Sequence, residues 1–385
     1  MTVHELRGGT GRPHAGKRVL ITGGAGFVGS HLADELLAQG YRVRVLDNLC
    51  AQVHGANPTR PDYLSAQVEL IVGDVCDPAT VRDALQDVDG VFHLAAAVGV
   101  GQSMYQIAHY THTNNLGTAV LLEALVERPV QRLVVASSMS VYGEGAYVDA
   151  DGTRVPVRER PLAQLRRAQW EPSVDGRPLQ PVPTDEGKPA EPSSVYALSK
   201  LDQERLCLIV GQAYAIPTTA LRFFNIYGTR QALSNPYTGV LAIFAARLLN
   251  RKPPVIFEDG AQRRDFVHVS DVARACRLAY ESDSAAGLAL NIGSGQAISI
   301  NEVAQRIAAA MGIDDLPPQV SGNYRVGDIR HCFADISLAR DRIGYTPQVE
   351  LQQGLGELVT WLREQTAADG IEAANAELAR RGLQG

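Results

Sequence analysis

The chain is 385 residues long, with 45% hydrophobic and 20% charged residues and a formal net charge of -6. This composition excludes an intrinsically disordered chain, and the acidic balance argues against sequence-independent nucleic-acid binding. No apolar run approaches the ~18 residues that a membrane span requires.

Residues 1–16 are polar and glycine-rich, lack the apolar core of a secretory signal, and read as a flexible leader. The five cysteines are scattered without a CxxC pair, which suits reduced thiols in a cytoplasmic protein. The nine histidines show no HExxH spacing, so no metal site is expected.

The first ordered stretch, residues 18–22, is a short β-prone run, followed at once by a glycine cluster at 23–29. Residues 30–39 carry Leu32, Leu36 and Leu37 at helical spacing and stop at Gly40. Residues 42–47 form the next strand, so 18–47 reads as a βαβ unit. The alternation continues with a strand at 68–75, a helix at 78–85, a buried strand at 91–96, a helix at 118–126 and a strand at 132–137. Apolar strands alternating with helices predict a parallel sheet covered on both faces.

From 143 to 192 the pattern breaks. The segment holds eight of the twenty prolines and is too long for an ordinary connection, which predicts a surface excursion beside a binding cleft. Trp170 reads as a hydrophobic staple inside it. Regular structure resumes with Ser193 or Ser194 capping a helix over 195–211, then a strand at 218–223. After 225 the elements shorten: helices at 239–249, 272–280, 301–311 and 351–362, with strands at 255–257 and 265–267. The Ala-rich stretch after 365 reads as a frayed helical tail.

Three constellations carry chemistry. In Thr22-Gly23-x-x-Gly26-x-x-Gly29, Gly23 permits the tight turn, Gly26 lets a pyrophosphate approach the backbone, and Gly29 lets helix and strand pack closely. Tight turns use glycine in any case, but here a strand precedes the motif, a helix follows, and Asp47 ends the second strand. Asp47 is placed to bond the ribose hydroxyls of NAD and to repel the 2′-phosphate of NADP; its plainer role is a strand-end cap. Tyr196 and Lys200 stand four residues apart and share a helix face. The ammonium would lower the phenol pKa from about 10 and make Tyr196 a general base, although such a pair alone is a common exposed helix pair. Ser138 ends a central parallel strand, where α/β proteins bind ligands; alone, such a serine usually satisfies backbone groups.

Taken in order, the glycine motif, Asp47, Ser138, Tyr196 and Lys200 resemble the extended short-chain dehydrogenase/reductase family, in its nucleotide-sugar epimerase/dehydratase branch. The resemblance runs from about residue 18 to 361. It is supported by Gly73-Asp74-Val75, His93-Leu94-Ala95-Ala96, Asn114-Asn115-Leu116-Gly117-Thr118, residues 221–228 and 264–269, and Arg325-Val326-Gly327-Asp328. It implies a Rossmann doubly wound parallel sheet with a smaller α/β C-terminal substrate lobe. The division it suggests is a leader at 1–16 and an NAD-binding domain at 17–224, with an insertion at 144–192 and parts of 264–293 returning to it. A lobe at 225–365 and a tail at 366–385 complete it.

By the resemblance, the NAD site comprises Gly23, Gly26, Phe27, Val28, Asp47, Asn48, Asp74, Val75, Leu94, Ala95, Ala96, Ala97, Thr113, Ser137, Tyr196, Lys200 and Phe224. Asp74 and Val75 contact adenine, residues 95–97 line the pyrophosphate and ribose, and Phe224 packs by the nicotinamide. Asn225, Arg264, Arg325 and Asp328 hold the diphosphate of a nucleotide-sugar substrate, with Ser138, Val240, Phe257 and Cys332 completing that site. The resemblance also suggests a homodimer through a four-helix bundle. Neither a nucleic acid nor a membrane is expected as a partner. The spacing of 58 residues from Ser138 to Tyr196 departs from the family, because the excursion must loop out and return.

Dehydratases of this branch carry an Asp-Glu pair directly after the position of Ser138, and decarboxylating relatives carry a Glu at the position of Ser140. Here Met139 and Ser140 stand there, which leaves oxidation and re-reduction at one carbon, as in 4-epimerases. Residues 138–143, 235–240 and 327–332 are similar to those of epimerases acting on dTDP-L-rhamnose. The small Cys332 leaves room for other sugars, so UDP-hexoses and UDP-N-acetylhexosamines stay open, and a UDP-uronate is a further alternative. Two other readings are a sugar-nucleotide dehydrogenase or reductase and a non-catalytic NAD sensor; the presence of both Tyr196 and Lys200 disfavours the sensor.

Overall fold

A computed structural model describes residues 14–56, 58–232, 239–365 and 371–384. Its centre is a seven-stranded sheet built from β1 (Arg18–Thr22), β2 (Arg42–Asp47), β3 (Glu69–Val72), β4 (Gly90–His93), β5 (Arg132–Ser138), β6 (Thr218–Phe223) and β7 (Ala289–Ile292). The order is β7-β6-β5-β4-β1-β2-β3, and every pairing is parallel. The strand order reverses between β1 and β4, so a crevice opens at their carboxyl ends, the place where doubly wound sheets bind ligands.

Both faces are covered because alternate strand residues point to opposite sides. Val19, Ile21, Val43 and Val45 pack against α1 (Phe27–Ala38) and against Val269–Glu281, through Leu32, Leu36, Val272 and Cys276. Leu20, Leu46, Val91 and Leu133 face α2 (Gly117–Glu127) through Leu121 and Leu125, and α3 (Val195–Ala213) through Cys207. Two strands are shorter than their apolar runs suggest. The 68–75 stretch is paired only over Glu69–Val72, and β4 stops at His93, opposite Thr22, beyond which 94–97 runs as loop over the crevice. The helix expected from 272 begins at Val269, where the His268 ring accepts from the Ser270 amide.

Helices α4 (Val240–Leu249), α5 (Val269–Glu281), α6 (Ile300–Met311) and α7 (Leu351–Leu362) follow in chain order. α4, α6 and α7 share a separate apolar core that includes Phe244, Val303, Ile307, Leu355 and Leu358. This core supports the loops that face the sheet's carboxyl edge. The last helix, α8 (Ile371–Arg380), lies within the tail.

The proline-rich segment is structured. Ala146–Val148, Arg154–Val155 and Gln180–Val182 form an antiparallel sheet, and Ser173–Val174 pairs with Arg177–Pro178. Its apolar centre is Tyr147, Val157 and Leu179. Trp170 is half-buried and lies outside that cluster, contrary to the staple reading. What holds the segment down is charge. Arg160 donates to Glu258 at 2.7 Å, and Arg330 reaches Glu258 at 3.0 Å, Asp259 at 2.7 Å and Glu171 at 2.5 Å. Burying such ions requires that each be paired, and here each is. Residues 1–13 of the leader, 235–238 of the 235–240 motif, and 366–370 and 385 of the tail lie outside the described residues.

Candidate active site

The glycine loop explains its own composition. A Cβ on Gly23 (φ +71°) would lie 2.8 Å from the Ala95 amide nitrogen, and one on Gly29 would lie 2.4 Å from the Gly23 carbonyl. At Gly26 the nearest atom to such a carbon is 3.4 Å away, so this residue leaves an approach open. Gly26 caps α1 and no side chain takes the helix's first amides, which with Phe27 and Val28 form a place for a phosphate. Asp47 accepts from the Ala25 amide at 3.0 Å and from the Leu49 amide at 2.9 Å. It thus caps the strand end and braces the glycine loop while standing beside it.

At the end of the groove where adenine is expected, the Asn48 side-chain amide donates to Asp74 at 3.3 Å. Despite partial burial, hydrogen bonds from Cys76 and Asn48 hold the Asp74 carboxyl below its ordinary pKa. Val75 is buried, with its side chain packed against Gly117. On the opposite wall Leu94 donates to the Thr22 carbonyl, and Ala95 to the Thr22 hydroxyl. Asn114 clamps this loop from a π-helical turn, Thr111–Leu116, that also carries Thr113. Its side chain accepts from the Ala97 amide at 2.7 Å and donates to the Ala97 carbonyl at 3.1 Å. Ala96 completes the loop between these anchors. Such turns recur at functional sites because they displace a side chain from the helical register.

Ser138 and Tyr196 come together at the end of β5. Ser138 caps the turn Met139–Tyr142, accepting from the Ser140 amide at 3.2 Å, with the Ser140 hydroxyl 2.8 Å away. Tyr196 opens α3. Ser194 caps that helix through the Ala197 amide, as the sequence pattern suggests, and Ser103 accepts the Tyr196 amide at 3.0 Å. Desolvation raises the phenol pKa, and its hydrogen bond with Ser138 opposes that rise. Lys200 is buried and its ammonium is pulled down to about 8 by desolvation. It donates to Gln203 at 2.8 Å, and Gln203 in turn donates to Thr118 at 2.8 Å, beside the buried His93. The expected lowering of the phenol by the ammonium is therefore not expressed here: burial dominates both groups.

Several of the expected site residues also make structural contacts. The Ser137 hydroxyl donates to buried Glu204 at 2.7 Å, and Glu204 pairs with Arg222 at 2.6 Å, so Ser137 anchors β5 to α3 and β6. Phe224 and Cys332 are buried together with Met139 and Tyr142 beneath the site. The Cys332 thiol, pushed up to about 12 by burial, points at Thr184 of the insertion. Arg264 donates to the carbonyl of Arg330 at 3.0 Å and lies 3.5 Å from Asp328. Arg325 stands with its guanidinium 4.3 Å from the centre of the Phe257 ring. Asn225 keeps its Oδ1 buried with no hydrogen-bond partner among the described residues. Val240 begins α4, half-buried against the lobe's apolar core.

A cavity of about 280 Å³ lies beside Ser193, one helical turn before Tyr196, and is walled by Gly143, Glu159, Glu191, Gly327 and Asp328. The insertion thus contributes to the cleft wall, as a segment returning between Ser138 and Tyr196 must. Among the described residues no group of three or more His, Cys, Asp or Glu side chains is placed to hold a metal ion. The Glu204–Arg222 pair and the Asn114 clamp were not singled out from the sequence. Asn114 does stand in the Asn-Asn-Leu-Gly-Thr stretch, whereas nothing local marks Glu204.

The profile of the NAD dependent epimerase/dehydratase family matches residues 19–164 and 172–293. A dTDP-L-rhamnose 4-epimerase of Burkholderia thailandensis is 40% identical over 354 residues, covering 91% of this chain and 96% of that protein. The UDP-glucose 4-epimerase of Thermotoga maritima, solved with UDP-glucose, superposes with a TM-score of 0.74 at 30% identity, over 90% of this chain and 99% of that one. The UDP-glucose 4-epimerase of Thermus thermophilus, solved with NAD, gives 0.71 at 31% identity, over 91% and 100%. With the glycine loop, Asp47 and the Ser138–Tyr196 contact all in the places such a fold requires, the chain belongs to the NAD dependent epimerase/dehydratase family.

Proposed function

We propose that the protein is a nucleotide-sugar 4-epimerase that uses NAD, with dTDP-L-rhamnose and its C4 epimer, dTDP-6-deoxy-L-talose, as the substrate pair. The observation that carries the reading is the Ser138–Tyr196 contact at the end of β5, flanked by Met139 and Ser140, neither of which can supply the acid of a dehydratase. The uncapped start of α1, the open side of Gly26 and the poise of Asp47 fit NAD in the crevice. When bound, NAD supplies the acceptance and return of a hydride at C4.

The chain's own groups handle the proton. Tyr196, as phenolate, takes the proton of the sugar 4-hydroxyl and returns it after the sugar has turned over. Ser138 donates to the sugar oxygen as charge develops on it. Lys200, held by Gln203, supplies the positive charge that favours the phenolate once the cleft is filled. Asn225, Arg264, Arg325 and Asp328 hold the nucleoside diphosphate, which does not change during the reaction. The NAD-binding domain (17–224) and substrate lobe (225–365) frame this division of labour. The setting is cytoplasmic, and the working form is a homodimer through α2 and α3.

The test is incubation of the purified protein with dTDP-L-rhamnose in deuterated water, without added NAD, followed by mass spectrometry and proton NMR. A second sugar nucleotide of unchanged mass, inverted at C4 and free of solvent deuterium there, is the expected result. Deuterium at C4, or net release of NADH, would overturn it. No conversion of dTDP-L-rhamnose alongside turnover of UDP-glucose would move the substrate to the UDP-hexoses of the solved relatives.

A further inference from the structure

The end of the chain returns to the substrate cleft and touches both of its walls. On the lobe side, Glu372 accepts from Lys252 at 3.0 Å, the Val326 amide donates to the Leu383 carbonyl at 3.2 Å, and the Asn375 side-chain oxygen accepts from Arg325 Nη2 at 3.2 Å. On the sheet side, Leu378 is 4% exposed and lies so close to Gly101 that a Cβ there would meet it at 3.3 Å. Arg381 rests over the Tyr105 ring at 4.2 Å. Gly101 belongs to the short helix Val100–Ser103, whose Ser103 accepts the Tyr196 amide. The segment therefore spans from the loop of Arg325 to the support of the catalytic tyrosine.

We propose that Asn375 is a positioning residue for the nucleotide: with Phe257 it fixes the Arg325 guanidinium, while α8 closes the nucleotide end of the cleft. This rests on the reading that Arg325 holds the substrate diphosphate. The Arg325 guanidinium lies over the Phe257 ring, 4.3 Å from its centre. The Asn375 oxygen holds it at Nη2 and restrains its rotation over the ring. A guanidinium meets a diphosphate through a rigid fork, so orientation fixed beforehand is ordering that the substrate need not impose.

The diphosphate is remote from C4 and equally held in ground and transition states. Loss of its positioning therefore raises KM and leaves kcat nearly unchanged. A segment bridging both walls also slows escape of the bound sugar nucleotide while its C4 carbonyl exists. The chemistry recognised is a nucleoside diphosphate, not the sugar.

The experiment is calorimetric titration of the full-length protein with dTDP and, separately, with NAD, for the wild type, Asn375→Ala and Asn375→Asp, with a thermal melt of each. In Asn375→Ala the dTDP affinity falls about fivefold, roughly the net worth of one ordinary hydrogen bond, and NAD affinity and melting are unchanged. Asn375→Asp pairs with Arg325 more strongly and competes with the diphosphate, so it melts no lower yet also binds dTDP more weakly. Wild-type dTDP affinity in Asn375→Ala would overturn the proposal, as would an equal loss of NAD affinity with a lowered melt, which is the signature of a merely structural contact. Failure of the wild type to bind either dTDP or UDP would instead overturn the underlying reading of Arg325. A chain ending at residue 365 that melts cooperatively and releases dTDP at the wild-type rate would overturn the closing role of α8.

Discussion

At the residue scale, the proposed chemistry turns on a tyrosine that burial disfavours as a base. The Tyr196 phenol is raised by desolvation and eased only by Ser138, so as the proposed base it needs positive charge brought close by Lys200 and by the oxidised nicotinamide. Tyr196→Phe keeps the ring and its edge contact with Tyr110. It is expected to lose at least ~100-fold in turnover with unchanged NAD affinity, read by activity and titration together. Lys200 contributes only while protonated, and burial has brought its pKa down to about 8. Turnover should therefore fall as pH rises through about 8. In Lys200→Arg, whose cation persists to higher pH, residual activity should lack that alkaline limb, and a wild-type limb in the variant would remove Lys200 as its source. The stability sign is opposite. With the folded pKa below the unfolded one, the folded state sheds its proton first, and stability from this group rises between about 8 and the ordinary lysine value.

At the scale of elements, the βαβ start was legible because its glycines answer local demands that any sequence window contains. Gly23 must reach a positive φ and Gly29 must meet the Gly23 carbonyl. The helix over α3 was legible from Ser194 and its spacing, and so was the meeting of Ser138 with Tyr196 once their family order was seen. The insertion was legible only as a break in pattern. Its anchors, Arg160 with Glu258 and Arg330 with Glu171, pair residues 98 and 159 positions apart, and no local window couples them. The Ser137–Glu204 bond was illegible for the same reason, since the two lie on different elements 67 residues apart. The network also positions the nucleotide loop: Glu144 accepts from the Arg330 amide at 2.7 Å, and Arg160 donates to the Asp328 carbonyl at 3.0 Å. Arg330 is 1% exposed and serves three carboxylates. Arg330→Met should cost about 2–3 kcal/mol, because buried Glu258 keeps only Arg160 while Asp259 and Glu171 lose their charged hydrogen bonds to the guanidinium, and denaturant unfolding measures this. A loss under ~1 kcal/mol, the worth of a surface pair, would show that the network is not what clamps the insertion.

At the scale of the whole molecule, the turn leading into α2 and the outer face of α3 carry apolar side chains that the monomer leaves in water. Leu116, at the end of the π-helical turn leading into α2, is 44% exposed, and Leu198 and Ile209 on α3 are 57% and 62% exposed. Leu198 and Ile209 are eleven residues apart, close to three full turns, so they lie on one stripe of the helix. The same helix holds Tyr196, Lys200 and Glu204 on its sheet-facing side. A partner docked on the stripe would therefore stiffen the backbone that positions the catalytic pair. Single exposed leucines are ordinary on monomers, but an aligned pair beside Leu116 is a patch that association would cover. A two-fold arrangement of α2 and α3 against their copies makes a four-helix bundle, and the interface is then self-complementary. Leu198→Glu combined with Ile209→Glu should place like charges across that axis and yield a monomer by light scattering, with the melting temperature lowered and activity reduced through disorder at α3. A double variant that keeps the wild-type mass would remove this face from the interface. A wild type already monomeric at micromolar concentration would leave Tyr196 and Lys200 supported by Ser103 and the sheet alone.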